Sequence, residues 1–164
     1  MNEEDGYERS PVDDTAIGEG ADRIEFFVAG EPQPKGSTRA FYVKKLDRVV
    51  TTTTNKNTKQ WQLRVSTEAQ RANESRNGAF FCNDDRCGYE VAADFTFTRP
   101  KSTPKKVHLN TKRPDLDKLI RAVLDGIVNV LIPDDALVIS IRATKKYGEE
   151  NEVPGARISV IRIK

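Results

Sequence analysis

The 164-residue chain has a single histidine, His108, and only two cysteines, Cys82 and Cys87. One histidine argues against metal sites built on several imidazoles and against a Ser-His-Asp hydrolase. Two cysteines are too few for a disulfide-built fold, so a reducing compartment is expected. They flank Asp84 and Asp85 and would supply half of a zinc site at most; a polar loop with two free thiols is the plainer reading. No run of about 18 apolar residues exists, which excludes a membrane-spanning helix. No apolar stretch follows the acidic N-terminus, so a secretory signal is not expected. Phosphate-binding and dinucleotide-binding glycine motifs are missing, as is any internal repeat. What remains is a cytoplasmic, soluble, single-domain protein.

Charge is present in quantity but unevenly placed. The formal net charge is only +2. Residues 1–22 carry eight acids and one base, a net of −7, and leave 26 bases and 17 acids, a net of +9, on residues 23–164. The acidic leader has no apolar periodicity and reads as disordered. The basic body favours a polyanionic partner. Lys35, Arg39, Lys112, Lys118, Lys145 and Lys146 are the candidate contacts for it. A solvated surface explains each of them singly; together they make a phosphate-binding rim.

The body reads as an α/β domain: a small mixed sheet with a βαβ crossover, a C-terminal antiparallel hairpin strand and two main helices. Residues 23–29 alternate as a strand, and residues 41–43 and 48–52 suggest a small hairpin around Lys44–Asp47. Residues 58–76 carry a helical stripe of Trp61, Val65, Ala69 and Ala72. Residues 91–98 alternate again. A second helix, bounded by Pro114 and Pro133, carries Leu116, Leu119, Ile120, Val123, Leu124, Ile127, Val128 and Leu131 on one face. Residues 137–144 and 156–163 are strands.

Two aspartate pairs mark that second helix: Asp115 and Asp117 at its start, Asp134 and Asp135 in the turn after it. Taken singly they suit helix capping, i,i+4 ion pairing with Arg121, and turn chemistry. If neighbouring strand ends bring the pairs together, two carboxylates about 5 Å apart repel by roughly 3 kcal/mol at an effective dielectric of about 20. A hard cation among them relieves that repulsion, and Mg²⁺ or Mn²⁺ suits an all-oxygen site.

The run Asp115-Leu116-Asp117, the helix bearing Arg121 and Asp125, and the pair Asp134-Asp135 resemble the RusA-type Holliday junction resolvases. The segment Phe27–Arg39 resembles the first strand and loop of phage-type members. The likeness spans residues 23–164. It implies a homodimeric, Mg²⁺-dependent endonuclease that nicks four-way DNA junctions symmetrically in recombination and repair. By match, Asp115, Asp117 and Asp135 would hold metal, with Asp134 beside them. Two positions depart from the pattern: Lys118 stands where the family has Asn, and Arg121 where it has Lys. Arginine stays protonated, so it can clamp phosphate but cannot act as a proton-transfer base. A junction-binding protein without catalysis is therefore the alternative expectation, and an interaction module using the acidic leader is a third.

Overall fold

The computed structural model describes residues 22–36, 38–53, 57–78, 80–81 and 87–163. The proposed leader (apart from Asp22), Cys82, Asp84 and Asp85 lie outside the described residues. The elements are β1 (Asp22–Ala29), β2 (Thr38–Val43), β3 (Arg48–Thr53), α1 (Thr58–Glu74), β4 (Gly88–Phe97), α2 (Leu116–Ile127), β5 (Val138–Tyr147) and β6 (Gly155–Ile163). Asp22 opens β1, where Arg76 and Arg162 both pair with its carboxylate.

Four strands form one mixed sheet in the order β1-β6-β4-β5, and β2 and β3 form a separate antiparallel hairpin. Period-two alternation makes one face of the sheet apolar. Ile24, Phe26 and Val28 of β1 sit opposite Val160, Ile158 and Ala156 of β6, which in turn sit opposite Val91, Ala93 and Phe95 of β4. All nine are buried. The other face is polar, with Arg157 paired to Glu25 and the Thr144 hydroxyl bonded to Asp94. The sheet is therefore covered by helices on one side only. β6 returns antiparallel, as the sequence suggests, and inserts between β4 and β1.

β4 and β5 are parallel neighbours, as a βαβ unit requires. α2 runs back across the apolar face between them. It buries Leu119, Ile120, Ala122, Val123, Leu124, Gly126 and Ile127. The helix stops sooner than its apolar spacing predicts. Val128 turns extended, and Asn129 takes a left-handed conformation (φ 62°) that asparagine tolerates better than most residues. The Ile127 carbonyl accepts from the amides of Val130 and Leu131, so Leu131 reaches the core from a turn and not from the helix.

α1 packs on α2 through Trp61, Val65 and Ala69. The approach is close at Gly126. A Cβ there would lie 2.7 Å from Val65 Cγ1 and 3.0 Å from the Gln62 carbonyl oxygen. Gly126→Ala should therefore destabilise the protein by about 1–3 kcal/mol, overpacking outweighing the gain in helix propensity. A denaturant midpoint equal to or above wild type would show that the helices separate freely.

Candidate functional site

The parallel pairing of β4 and β5 decides where the aspartates fall. The helix must return from the C-terminal end of β4 to the N-terminal end of β5. Asp115 and Asp117 therefore lie toward the C-terminal ends of these two strands, and Asp134 and Asp135 at the N-terminal end of β5. The 12 residues of α2 separate them by about 18 Å. The expectation that adjoining strand ends would bring the pairs together fails within one chain. Among the described residues, no three Asp, Glu, His or Cys side chains are grouped to hold an ion.

Each pair has one engaged and one free member. Asp115 stands at the helix N-cap but makes no capping bond; its carboxylate pairs with Lys118 Nζ at 2.9 Å. That bond and the Lys118 charge hold Asp115 below the ordinary carboxylate value of 3.8. Asp134 accepts from the Ala136 amide at 2.7 Å, capping a single 3₁₀ turn, Asp135–Leu137. Asp117 and Asp135 are exposed and have no partner among the described residues.

Between them runs the solvent side of α2. At 100° per residue, Asp117, Arg121, Asp125 and Lys118 occupy one polar stripe about 100° wide, opposite the seven buried positions. Arg121 is exposed in the middle of it, without a partner among the described residues. Asp125 closes its far end, sharing a shallow open depression with Gln62, Val128, Asp134 and Asp135. Its carboxylate is fully used: Lys35 Nζ lies 2.9 Å from one oxygen and 3.0 Å from the other, and Gln62 Nε2 donates at 2.7 Å. The loop carrying Lys35 is pinned to the same helix by a bond from the Lys35 amide to the Lys118 carbonyl.

Gln62 is a site residue that the sequence reading missed. Asp125 stands four residues after Arg121, yet its partners are 63 and 90 residues away. No local signal marks such contacts.

The candidate DNA lysines separate by environment. Lys112 is exposed on the basic linker, and Arg39 lies on β2 with its side chain outside the described atoms. Lys118 is tied to Asp115 and Lys35 to Asp125. Lys145 turns inward: its Nζ donates to the carbonyls of Lys112 and Pro114 at 2.6 and 2.7 Å, holding the linker that presents Asp115. Lys146 pairs with Glu152 at 2.9 Å. His108 has its Nδ1 3.0 Å from the Glu149 carboxylate on the neighbouring turn.

The turn between β5 and β6 depends on Glu152. Its carboxylate also accepts from the Glu149 amide, and the Lys146 bond followed by that amide holds it below the ordinary value of 4.5. A depressed carboxylate contributes stability above its ordinary value and loses it as pH falls through the lowered one. Glu152→Gln should therefore lose less stability than wild type between about pH 6 and about pH 3. Equal losses in thermal melts of the two proteins would contradict this.

A family model described as Endodeoxyribonuclease RusA matches residues 30–161, a span that contains all four aspartates, Arg121 and the Lys35 loop. No curated protein sequence matches the chain.

Proposed function

The chain belongs to the RusA endodeoxyribonuclease family, whose members act on branched DNA, and from that premise we propose a homodimeric, Mg²⁺-dependent resolvase of four-way junctions. Mn²⁺ would serve in its place, and the cell compartment is the cytoplasm. The observation that carries the reading is the stripe of α2, with the free carboxylate of Asp117 in its first turn, that of Asp135 beyond its far end, and Arg121 between them.

The donor chemistry fits a hard cation, but a single chain offers its oxygens in two separated sets. Two-fold symmetry resolves this. An axis crossing α2 near its middle lays one end of the helix beside the other end of its copy. Asp115 and Asp117 of one chain then meet Asp134 and Asp135 of the second, twice per dimer. β5 suits such a contact. It is one of the two edge strands of the sheet and carries exposed Ile139 and Ile141. A bound divalent ion would lower the pKa of a water and stabilise the departing oxygen. The chain's own residues supply the rest. Asp117 and Asp135 bring free oxygens, Arg121 clamps a phosphate oxygen, and two sites address the two symmetric strands of a junction.

A second reading has one specific support. Lys118 Nζ sits on Asp115 where a cation would have to displace it, which favours a junction-binding protein with weak or no catalysis. Incubating the full chain with a four-way junction and a linear duplex, in Mg²⁺ or EDTA, separates the two. Paired nicks in the junction alone, and only with metal, are expected. Tight junction binding without cutting at any Mg²⁺ or Mn²⁺ concentration would overturn the enzyme.

A further inference from the structure

The β2–β3 hairpin stands apart from the main sheet and exposes apolar side chains at its tip. Tyr42, Leu46 and Val49 are 56%, 56% and 63% exposed. Tyr42 and Val49 are direct cross-strand neighbours on one face. Around them are the exposed bases Lys44, Lys45 and Arg48. The tip has a defined shape. Lys44–Leu46 form a 3₁₀ turn, Asp47 is left-handed (φ 46°), and the Tyr42 hydroxyl donates to the Asp47 carboxylate. That bond occupies the one acid in the tip, so its surface is cationic and apolar together.

The loop leading into the hairpin is fixed beside the polar stripe of α2. It bonds to α2 through Lys35, and the Thr58 hydroxyl at the start of α1 donates to the Pro34 carbonyl at 2.8 Å. Beyond that loop the six residues of β2, Thr38–Val43, extend for about 20 Å. A two-stranded hairpin that exposes apolar residues is poorly stabilised alone, so a partner is expected. Its positive charge disfavours docking against its own copy and favours a polyanion. Tyr42 offers a flat face that any unstacked base fits, while the neighbouring lysines and arginine meet the phosphates.

We propose that this hairpin is a wedge whose Tyr42, Leu46 and Val49 stack against unpaired bases at the branch point of DNA, positioning the strand for the α2 site. The proposal rests on the branched-DNA reading and deepens it by assigning recognition of the branch to a named element. It makes binding to a junction differ from binding to a duplex: phosphate contacts are common to both, and unstacked bases only to the first.

The test uses the full chain and a four-way junction carrying 2-aminopurine at the exchange point, in EDTA so that nothing is cut. Wild type should raise the fluorescence as the base unstacks. Tyr42→Ala/Leu46→Ala/Val49→Ala should leave it near that of free DNA, with duplex affinity within about two-fold and junction affinity lower by about ten-fold. The three side chains are exposed, so the melting temperature should not move. With Mg²⁺, junction cutting should fall in step. An unchanged fluorescence rise in the variant overturns the wedge, as does an equal loss of duplex and junction affinity. A switch in oligomeric state without loss of unstacking would identify a second copy as the occupant and also overturns it. Because fluorescence is read without cutting, unstacking by an inactive wild type supports the wedge while refuting the enzyme. Cutting by a variant that still unstacks bases does the reverse.

Discussion

An equimolar mixture of Asp117→Asn and Asp135→Asn chains should nick junctions that neither chain nicks alone. Each substitution removes an exposed carboxylate with no partner among the described residues, so folding should be nearly untouched. Under the proposed shared site each substitution takes one oxygen from the ion, and cleavage should fall by about 10³-fold in each pure variant. In a mixed dimer, a site shared between chains behaves differently from a site within one chain. One composite site receives both asparagines and is dead, while the other receives both native aspartates. Random exchange makes half the dimers mixed, so about a quarter of the sites should work, each nicking one strand without its symmetric partner. If both sites lay within single chains, every site in the mixture would carry one asparagine and no recovery would occur. Recovery as single nicks supports the shared site; none at any ratio, after verified subunit exchange, overturns it. The roughly 18 Å between the aspartate pairs motivates the test, since no side chain spans that distance.

What the sequence showed and what it hid follow from the range of each interaction. The strands and helices are legible because alternation and 3.6-residue spacing are local. Ile24, Phe26 and Val28 declare β1, and the stripe from Leu119 to Ile127 declares α2 before any partner is known. The parallel β4–β5 pairing is also legible, since strand, helix and strand in that order favour a crossover. The consequence of that pairing for the aspartates was missed. A crossover puts the start and the end of its helix at opposite ends of the two parallel strands, so Asp115 and Asp135 cannot meet in one chain. Lys35 and Lys145 look alike in the sequence, as cations in a basic body. One is fixed on a carboxylate 90 residues away and the other on two backbone carbonyls more than 30 residues away. Nothing in their neighbours encodes these contacts. The end of α2 was misjudged for a smaller reason: Leu131 continues the apolar period, but Asn129 turns the chain left-handed before it.

Arg121→Ala should lower junction cleavage by about 10²–10³-fold, the scale of losing one well-placed charge that stabilises a developing anion. Junction affinity should fall far less, because many other bases share the phosphate contacts. The side chain is exposed on α2 and pairs with no described residue, so stability should stay within about 0.5 kcal/mol. The more telling variant is Arg121→Lys. A guanidinium cannot release its proton at any working pH, so in the wild type this position can act only as a fixed positive charge. If charge is the whole of its role, lysine should recover most of the rate and leave the alkaline limb of the pH profile where it was. The remaining deficit would measure the loss of two-point contact with phosphate. A lysine variant faster than wild type, with a new ionisation on the alkaline side, would instead show that the chemistry gains from a proton acceptor at this position. The native arginine would then be a brake on the reaction. The same comparison bears on Lys118. Its bond to Asp115 has to open before that carboxylate can serve. Lys118→Asn should therefore reduce the metal concentration needed for half-maximal cutting while leaving the Arg121 dependence unchanged. A variant that needs as much metal as wild type would mean that the Lys118–Asp115 pair opens freely and places no restraint on the site.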